Sequence, residues 1–103
     1  MVKITAIYGF PADPAAFETY YAQTHTPLAL KIPHLKRIDI AKAVASPGQS
    51  QPAFYRTADL WFEDMEQCQA ALASPEAQAT AQDLANFATG GVTITISETV
   101  QAL

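Results

Sequence analysis

The chain has 103 residues, half of them hydrophobic and 16% charged, with a net charge of −4. That is one domain's worth of sequence with enough apolar residues to bury a core, which excludes a disordered tail. The six Lys and Arg are scattered, with one small group at Lys36, Arg37 and Lys42. No basic stripe exists to neutralise phosphates or anionic lipids, so neither nucleic acid nor a membrane surface is expected as a partner.

Cys68 is the sole cysteine. It can form no intramolecular disulfide and no thiolate metal cage, and a reducing cytosol suits it. The opening MVKITAIYGF alternates too strictly for a signal peptide, and no run approaches 18 apolar residues. A soluble, cytoplasmic protein is the expectation.

Val2–Tyr8 alternates with strand period, Val2, Ile4, Ala6 and Tyr8 against Lys3, Thr5 and Ile7. Asp13-Pro14 then starts a helix, the aspartate as cap and the proline where its missing N–H is not needed. Phe17, Tyr20, Tyr21, Thr24 and Leu28 form its apolar stripe. Pro27 disfavours helical geometry before it, so the helix should end near Thr24 to Thr26.

His34–Val44 reads as the second strand, and Ser46–Pro52 as loop. Ala53–Phe62 is the third. Phe54, Arg56, Ala58, Leu60 and Phe62 face one way, and Tyr55, Thr57, Asp59 and Trp61 the other. Asp64 with Gln67 forms a capping-box pattern that opens a helix with Met65, Cys68 and Leu72 on its stripe. Ser74-Pro75-Glu76 restarts a helix carrying Ala77, Ala81, Leu84 and Ala88, with Phe87 beside them, and Gly90-Gly91 stops it. Val92–Ser97 is a last strand, followed by the short tail ETVQAL.

The order β-α-β-β-α-β predicts a single α+β domain over residues 1–103. It is a ferredoxin-like βαββαβ sandwich with a four-stranded antiparallel sheet and helices on one face. Two helices cover only one face of such a sheet. With Ile7, Tyr55 and Trp61 on the other face, an apolar patch of several hundred Å² is expected there. That predicts a homodimer whose sheets pack face to face.

Few residues can carry chemistry. His25 lies about 80° off the stripe of its helix at 100° per residue, at the flank of the buried face. It reads either as an acid or base at the edge of an interior, or as a boundary histidine bonded to a nearby carbonyl. Asp59 shares a face with aromatic neighbours and needs a partner or solvent. It can orient His25, act as an acid itself, face a water-filled groove, or pair with an arginine. Tyr8, Tyr20, Tyr21, Tyr55, Trp61 and Phe87 either line an apolar pocket with phenol donors or form ordinary core. Cys68 reads as core and His34 as surface. Two histidines without HxH or HExxH spacing give no recognisable metal or haem site.

The motif F-x-x-Y-Y-x-x-x-H-x-P-L (Phe17 to Leu28) is followed by IPHLKR (Ile32 to Arg37), ADLWFED (Ala58 to Asp64) and SPE (Ser74 to Glu76). Together these resemble the EthD family across nearly the whole chain. The resemblance implies a dimeric α/β barrel fold and small, cofactor-free bacterial proteins named for an ether-degradation gene cluster. Wider relatives of that fold include cofactor-independent monooxygenases, polyketide cyclases and lactone isomerases. Their pockets lie between helices and sheet.

Carried over, the family histidine is His25, the aromatics before it are Phe17 and Tyr21, and the strand signature is Asp59, Leu60 and Trp61. His34 stands where the family commonly has a small residue and receives no role. The reading is a cofactor-independent enzyme on a small apolar organic molecule in a catabolic or secondary-metabolic pathway. His25, Asp59 and Tyr21 are its candidate catalytic residues, and Tyr8, Phe17, Tyr55, Trp61 and Phe87 its candidate substrate contacts. The alternative is a non-catalytic binder of a hydrophobic ligand, or an accessory protein to an oxygenase system.

Overall fold

A computed structural model describes residues 1–100; the last three residues of the ETVQAL tail lie outside the described residues. Four antiparallel strands, β1 (Val2–Tyr8), β2 (Arg37–Lys42), β3 (Arg56–Phe62) and β4 (Val92–Glu98), form one sheet in the order β2-β3-β1-β4. The helices are α1 (Pro14–Tyr20), α2 (Thr26–Ala29), α3 (Met65–Leu72) and α4 (Pro75–Asp83), the last extended by a 3₁₀ turn over Leu84–Asn86. All of them lie on one face of the sheet. This is the expected ferredoxin-like arrangement.

The helix starts follow the local chemistry. Asp13 accepts from the Ala16 N–H at 3.2 Å, Asp64 from Gln67 at 2.9 Å, and Ser74 from Ala77 at 3.1 Å. Each satisfies one of the N–H groups that a helix N-terminus leaves open. Where β1 ends, Gly9 and Gly90 touch backbone to backbone. A Cβ on Gly9 would lie 2.2 Å from the Gly90 carbonyl oxygen, so only glycine fits.

The first helix does not end at Pro27. Between α1 and α2 runs a π-helical turn, Tyr21–His25, and α2 carries Pro27 in its first turn. The Thr26 N–H reaches back five residues to the Tyr21 carbonyl. The wider turn restarts the helix, so Pro27 falls where its missing N–H is harmless. The turn also changes the phase. Phe17, Tyr21, His25 and Ala29 are all buried, a recurrence of four rather than 3.6 residues. His25 is therefore inside, 5% exposed, and Thr24 is on the surface.

The strands β2 and β3 are shorter than expected, and the alternation of β3 fails at its start. Tyr55 and Arg56 both turn toward the helices. The Tyr55 ring packs on Phe17 with centroids 5.2 Å apart, and Arg56 pairs with Glu18 of α1. The Tyr55 N–H still donates to the Tyr8 carbonyl at 2.8 Å.

The open face of the sheet is correspondingly less apolar than the sequence pattern suggests. Tyr55 has left it, and Trp61 lies between two cations, Lys3 and Arg37, at 5.2 and 4.9 Å from its ring centroid. The indole N–H donates to Asp39 at 2.9 Å. Register places Asp39 opposite Asp59, and Thr5 donates to Asp59 at 2.5 Å with Lys3 at 3.6 Å from the same carboxylate. The expected apolar patch is thus a mixed polar face with Ile7 and Trp61 in it.

Candidate functional site

The core is built as two clusters. One gathers Val2, Ile4, Ile32, Phe62 and Cys68 with three alanines, and the other gathers Tyr8, Phe17, Tyr21, Tyr55 and Phe87 with Ala6 and Ala58. A cavity of about 150 Å³ lies between them, under the helices. Its lining crosses the sheet from Ile38 and Ile40 on β2, through Ala58 and Leu60 on β3 and Ile4 and Ala6 on β1, to Ile94 on β4. Six alanines border it: Ala6, Ala29, Ala58, Ala71, Ala77 and Ala81. Their short side chains fail to fill the gap between helix and sheet, which is how the space arises in an otherwise packed interior. The alanine-rich second helical region thereby acquires a structural meaning.

One buried histidine borders this space. His25, from the π-helical turn, lines the cavity with Tyr21 and Tyr8. Its ring packs on Phe87 at 4.5 Å and near Tyr21 at 5.5 Å between centroids. Its Nδ1 lies 2.9 Å from Oδ2 of Asp83, the last residue of α4. Asp83 is itself 7% exposed and accepts from the Tyr20 hydroxyl at 2.5 Å and the Asn86 amide at 3.0 Å, both on Oδ1.

The electrostatics follow from this packing. Burial pushes the His25 pKa down, by more than the hydrogen bond and charge of Asp83 push it up. Burial alone would raise Asp83, but hydrogen bonds from Tyr20, Asn86 and His25 outweigh it and hold the carboxyl below its usual range. At neutral pH the pair is an ionised carboxylate against a neutral imidazole. The imidazole then donates Nδ1–H to Asp83, which leaves Nε2, on the far side of the ring, as a lone-pair acceptor. Burial raises the phenols of Tyr8 and Tyr21, so both are neutral hydroxyls.

The expected site residues divide. His25, Tyr21 and Tyr8 come together on the cavity, with Phe17 and Phe87 packed directly behind them. Tyr55 lies at the Glu18–Arg56 pair and donates to Glu18 at 2.6 Å. Asp59 and Trp61 lie on the open face, on the other side of the sheet from His25. The expected contact between Asp59 and His25 is not formed, because β3 alternates cleanly from Arg56 onward and points Asp59 away from the helices. Asp83 holds the histidine instead. The sequence does carry a signal for it: Thr80, Asp83 and Phe87 recur at i, i+3 and i+7, which places one acid on a buried helical stripe.

Arg56 is a second residue missed. Its guanidinium stands 4.9 Å over the Tyr21 ring and bonds Glu18 at 2.6 Å, while its Nε is buried without a partner. Among the described residues, no three His, Cys, Asp or Glu side chains gather as a metal site would need. No helix of the described residues is long and apolar enough to cross a membrane.

Fold and site together define the class: a ferredoxin-like sandwich with an apolar cavity beneath its helices and a single buried histidine–carboxylate pair at its wall. The chain belongs to the EthD family, whose domain matches residues 11–91. It is 45% identical over 98 residues, 95% of this chain and 94% of the other, to an uncharacterized 11.0 kDa protein in the thcB-thcC intergenic region of Rhodococcus erythropolis. A crystal structure of an ethyl tert-butyl ether degradation (EthD) family protein from Bacillus halodurans superposes with a TM-score of 0.90 at 35% identity. That match covers 97% of this chain and 99% of that one. At 20% identity the fold recurs in a cofactor-independent oxygenase from Streptomyces nogalater (TM-score 0.65, covering 99% and 95% of the chains). At 16% it recurs in a dimeric protein of ferredoxin-like fold from Bacteroides fragilis (TM-score 0.63, covering 95% of each).

Proposed function

We propose that this protein is a cofactor-independent acid–base enzyme acting on a small, largely apolar organic molecule, with His25 as the proton-accepting group. The observation that carries the reading is the buried His25–Asp83 pair at the wall of an otherwise apolar cavity. In the step proposed, the substrate's acidic C–H or O–H bond breaks and its proton passes to Nε2. The electron pair stays on the substrate, and the imidazolium formed is paired with ionised Asp83. Net charge in the cavity is conserved. Returning the proton to a different atom completes an isomerisation or cyclisation. The Tyr8 and Tyr21 hydroxyls are the neutral donors available to the developing anion. A positioned base of this kind supplies about 10²- to 10⁴-fold in rate.

The experiment is proton exchange. A panel of phenols, enolisable ketones and lactones in D₂O is followed by NMR with the wild-type chain and with His25→Gln. Exchange accelerated by the wild type and lost in the variant supports the reading, and equal exchange by both ends it. A non-catalytic ligand binder is the second reading, motivated by the apolar cavity alone. It predicts ligand binding in both proteins and exchange in neither.

The working assembly proposed is a homodimer through the open face of the sheet. The supporting observations are that all helices lie on the other face and that two proteins of this fold are described as dimeric. Light scattering at micromolar concentration reads it out, and a clean monomer sinks it.

A further inference from the structure

The cavity has a charge bias that the proposed chemistry does not by itself require. Its one ionised neighbour at neutral pH is Asp83, a carboxylate in contact with the histidine that lines it. Among the described residues, no lysine or arginine lines it. Arg56 stands over the ring of the lining residue Tyr21 and is paired with Glu18. The lining hydroxyl of Thr80 is already given to the Glu76 carbonyl at 2.8 Å. A ligand carboxylate would therefore enter an apolar space beside a like charge, with no cation to compensate it.

The size is equally defined. A cavity of about 150 Å³ walled by aliphatic and aromatic groups accommodates roughly one benzene ring. Leu60 and Phe62 on the sheet side and the alanines of α3 and α4 on the other set its height. A second fused ring exceeds that volume.

We propose that the cavity selects an uncharged molecule of single-ring size that presents one proton to Nε2 of His25, and that it rejects the corresponding carboxylate. This rests on the acid–base reading for the role of Nε2, but selection by charge and size is measurable as binding alone.

The test uses the full chain at pH 7 and three probes, phenol, benzoate and 2-naphthol, titrated against backbone amide resonances. Phenol is expected to shift residues around His25, Ala58 and Ala77. Benzoate is expected to bind more than about tenfold more weakly, from the like charge of Asp83 at short range. The bulkier 2-naphthol should also bind more weakly than phenol. In Asp83→Asn the phenol-to-benzoate gap should narrow or reverse. Ala77→Leu, which fills the space without touching the charged pair, should abolish phenol binding and leave the circular dichroism spectrum folded. Benzoate binding as tightly as phenol, an unchanged gap in Asp83→Asn, 2-naphthol equal to phenol, or no shift with any probe each overturns the proposal. Phenol selectivity without any proton exchange leaves the selection standing and removes the base.

Discussion

Replacing Asp83 by Asn tests the central pair without a known substrate. Both Tyr20 and Asn86 donate to Oδ1, whereas His25 sits against Oδ2. An asparagine keeps those two donors satisfied only if its carbonyl oxygen occupies the Oδ1 position. Its NH₂ group then faces His25, so Nδ1 must become an acceptor and the ring proton must move to Nε2. The variant therefore keeps two of the three hydrogen bonds in their original direction and reverses the third, and all three lose the charge assistance of the carboxylate. The stability cost is about 1–2 kcal/mol, well short of the loss expected if a buried partner were left unpaired. The functional cost is larger, because Nε2 is no longer a lone-pair acceptor. A rate loss of about 10²-fold or more is expected. The assay is a long-range ¹⁵N–¹H correlation on histidine-labelled protein, which reads the tautomer directly. Wild type should show Nδ1–H and a bare Nε2 at pH 7, and Asp83→Asn the reverse. A wild type in the Nε2–H form, or a variant that retains Nδ1–H, would refute the assignment of roles to this pair.

The remaining expectations can be checked on the same protein. The pKa of His25 is depressed from 6.5 in the folded state. The unfolded chain thus binds more protons just below that value, and denaturant-measured stability should begin to fall as pH drops below about 6.5. Asp83 is held below 3.8, so its contribution is present above that pH and is lost in stronger acid. A profile flat from pH 7 to pH 4 would contradict both the burial and the neutrality of His25. Gly90→Ala places a methyl 2.2 Å from the Phe10 carbonyl oxygen, and should cost about 1–3 kcal/mol in urea unfolding, as over-packing against backbone does. Ala77→Leu fills open space instead, so its melting temperature should hold or rise. Arg56→Met removes the cation from Tyr21 and Glu18, and should loosen Tyr55, seen as lost protection of its neighbouring amides, while leaving His25's tautomer unchanged.

The strands and helix starts were legible because they depend on local rules. Alternation placed Val2–Tyr8 correctly, and Asp13, Asp64 and Ser74 cap helices through contacts three residues away. The failures share a cause, an interruption of period. At 100° per residue His25 belongs at the flank of its helix; the π-helical turn Tyr21–His25 carries it inside. Pro27 looked like a stop because a uniform helix cannot absorb it, and the same turn absorbs it. At Tyr55 the alternation of β3 slips, which moved one aromatic off the open face and changed that face's character. Asp59 stands out in the sequence because β3 carries a recognisable motif, whereas Asp83 sits in none. The partner of His25 comes from a residue 58 positions away, and no periodicity reports such a contact.

The cavity and the charged pair argue more strongly together than apart. A void of about 150 Å³ forgoes at most roughly 3–4 kcal/mol of packing, a sizeable share of the stability of a domain this small. Filling it would take no more than one or two alanines becoming leucines on α3 or α4, a change available at each of Ala71, Ala77 and Ala81. Beside that void the fold also buries a carboxylate and converges three donors on it, although a plain apolar contact between α1 and α4 would hold the same helices together without desolvating a charge. Neither feature serves stability, and each makes sense in the presence of the other. An apolar space needs a fixed polar group to act on what enters it, and a buried histidine needs a space at its free nitrogen. The wall that carries His25 is therefore where chemistry in this fold is to be sought.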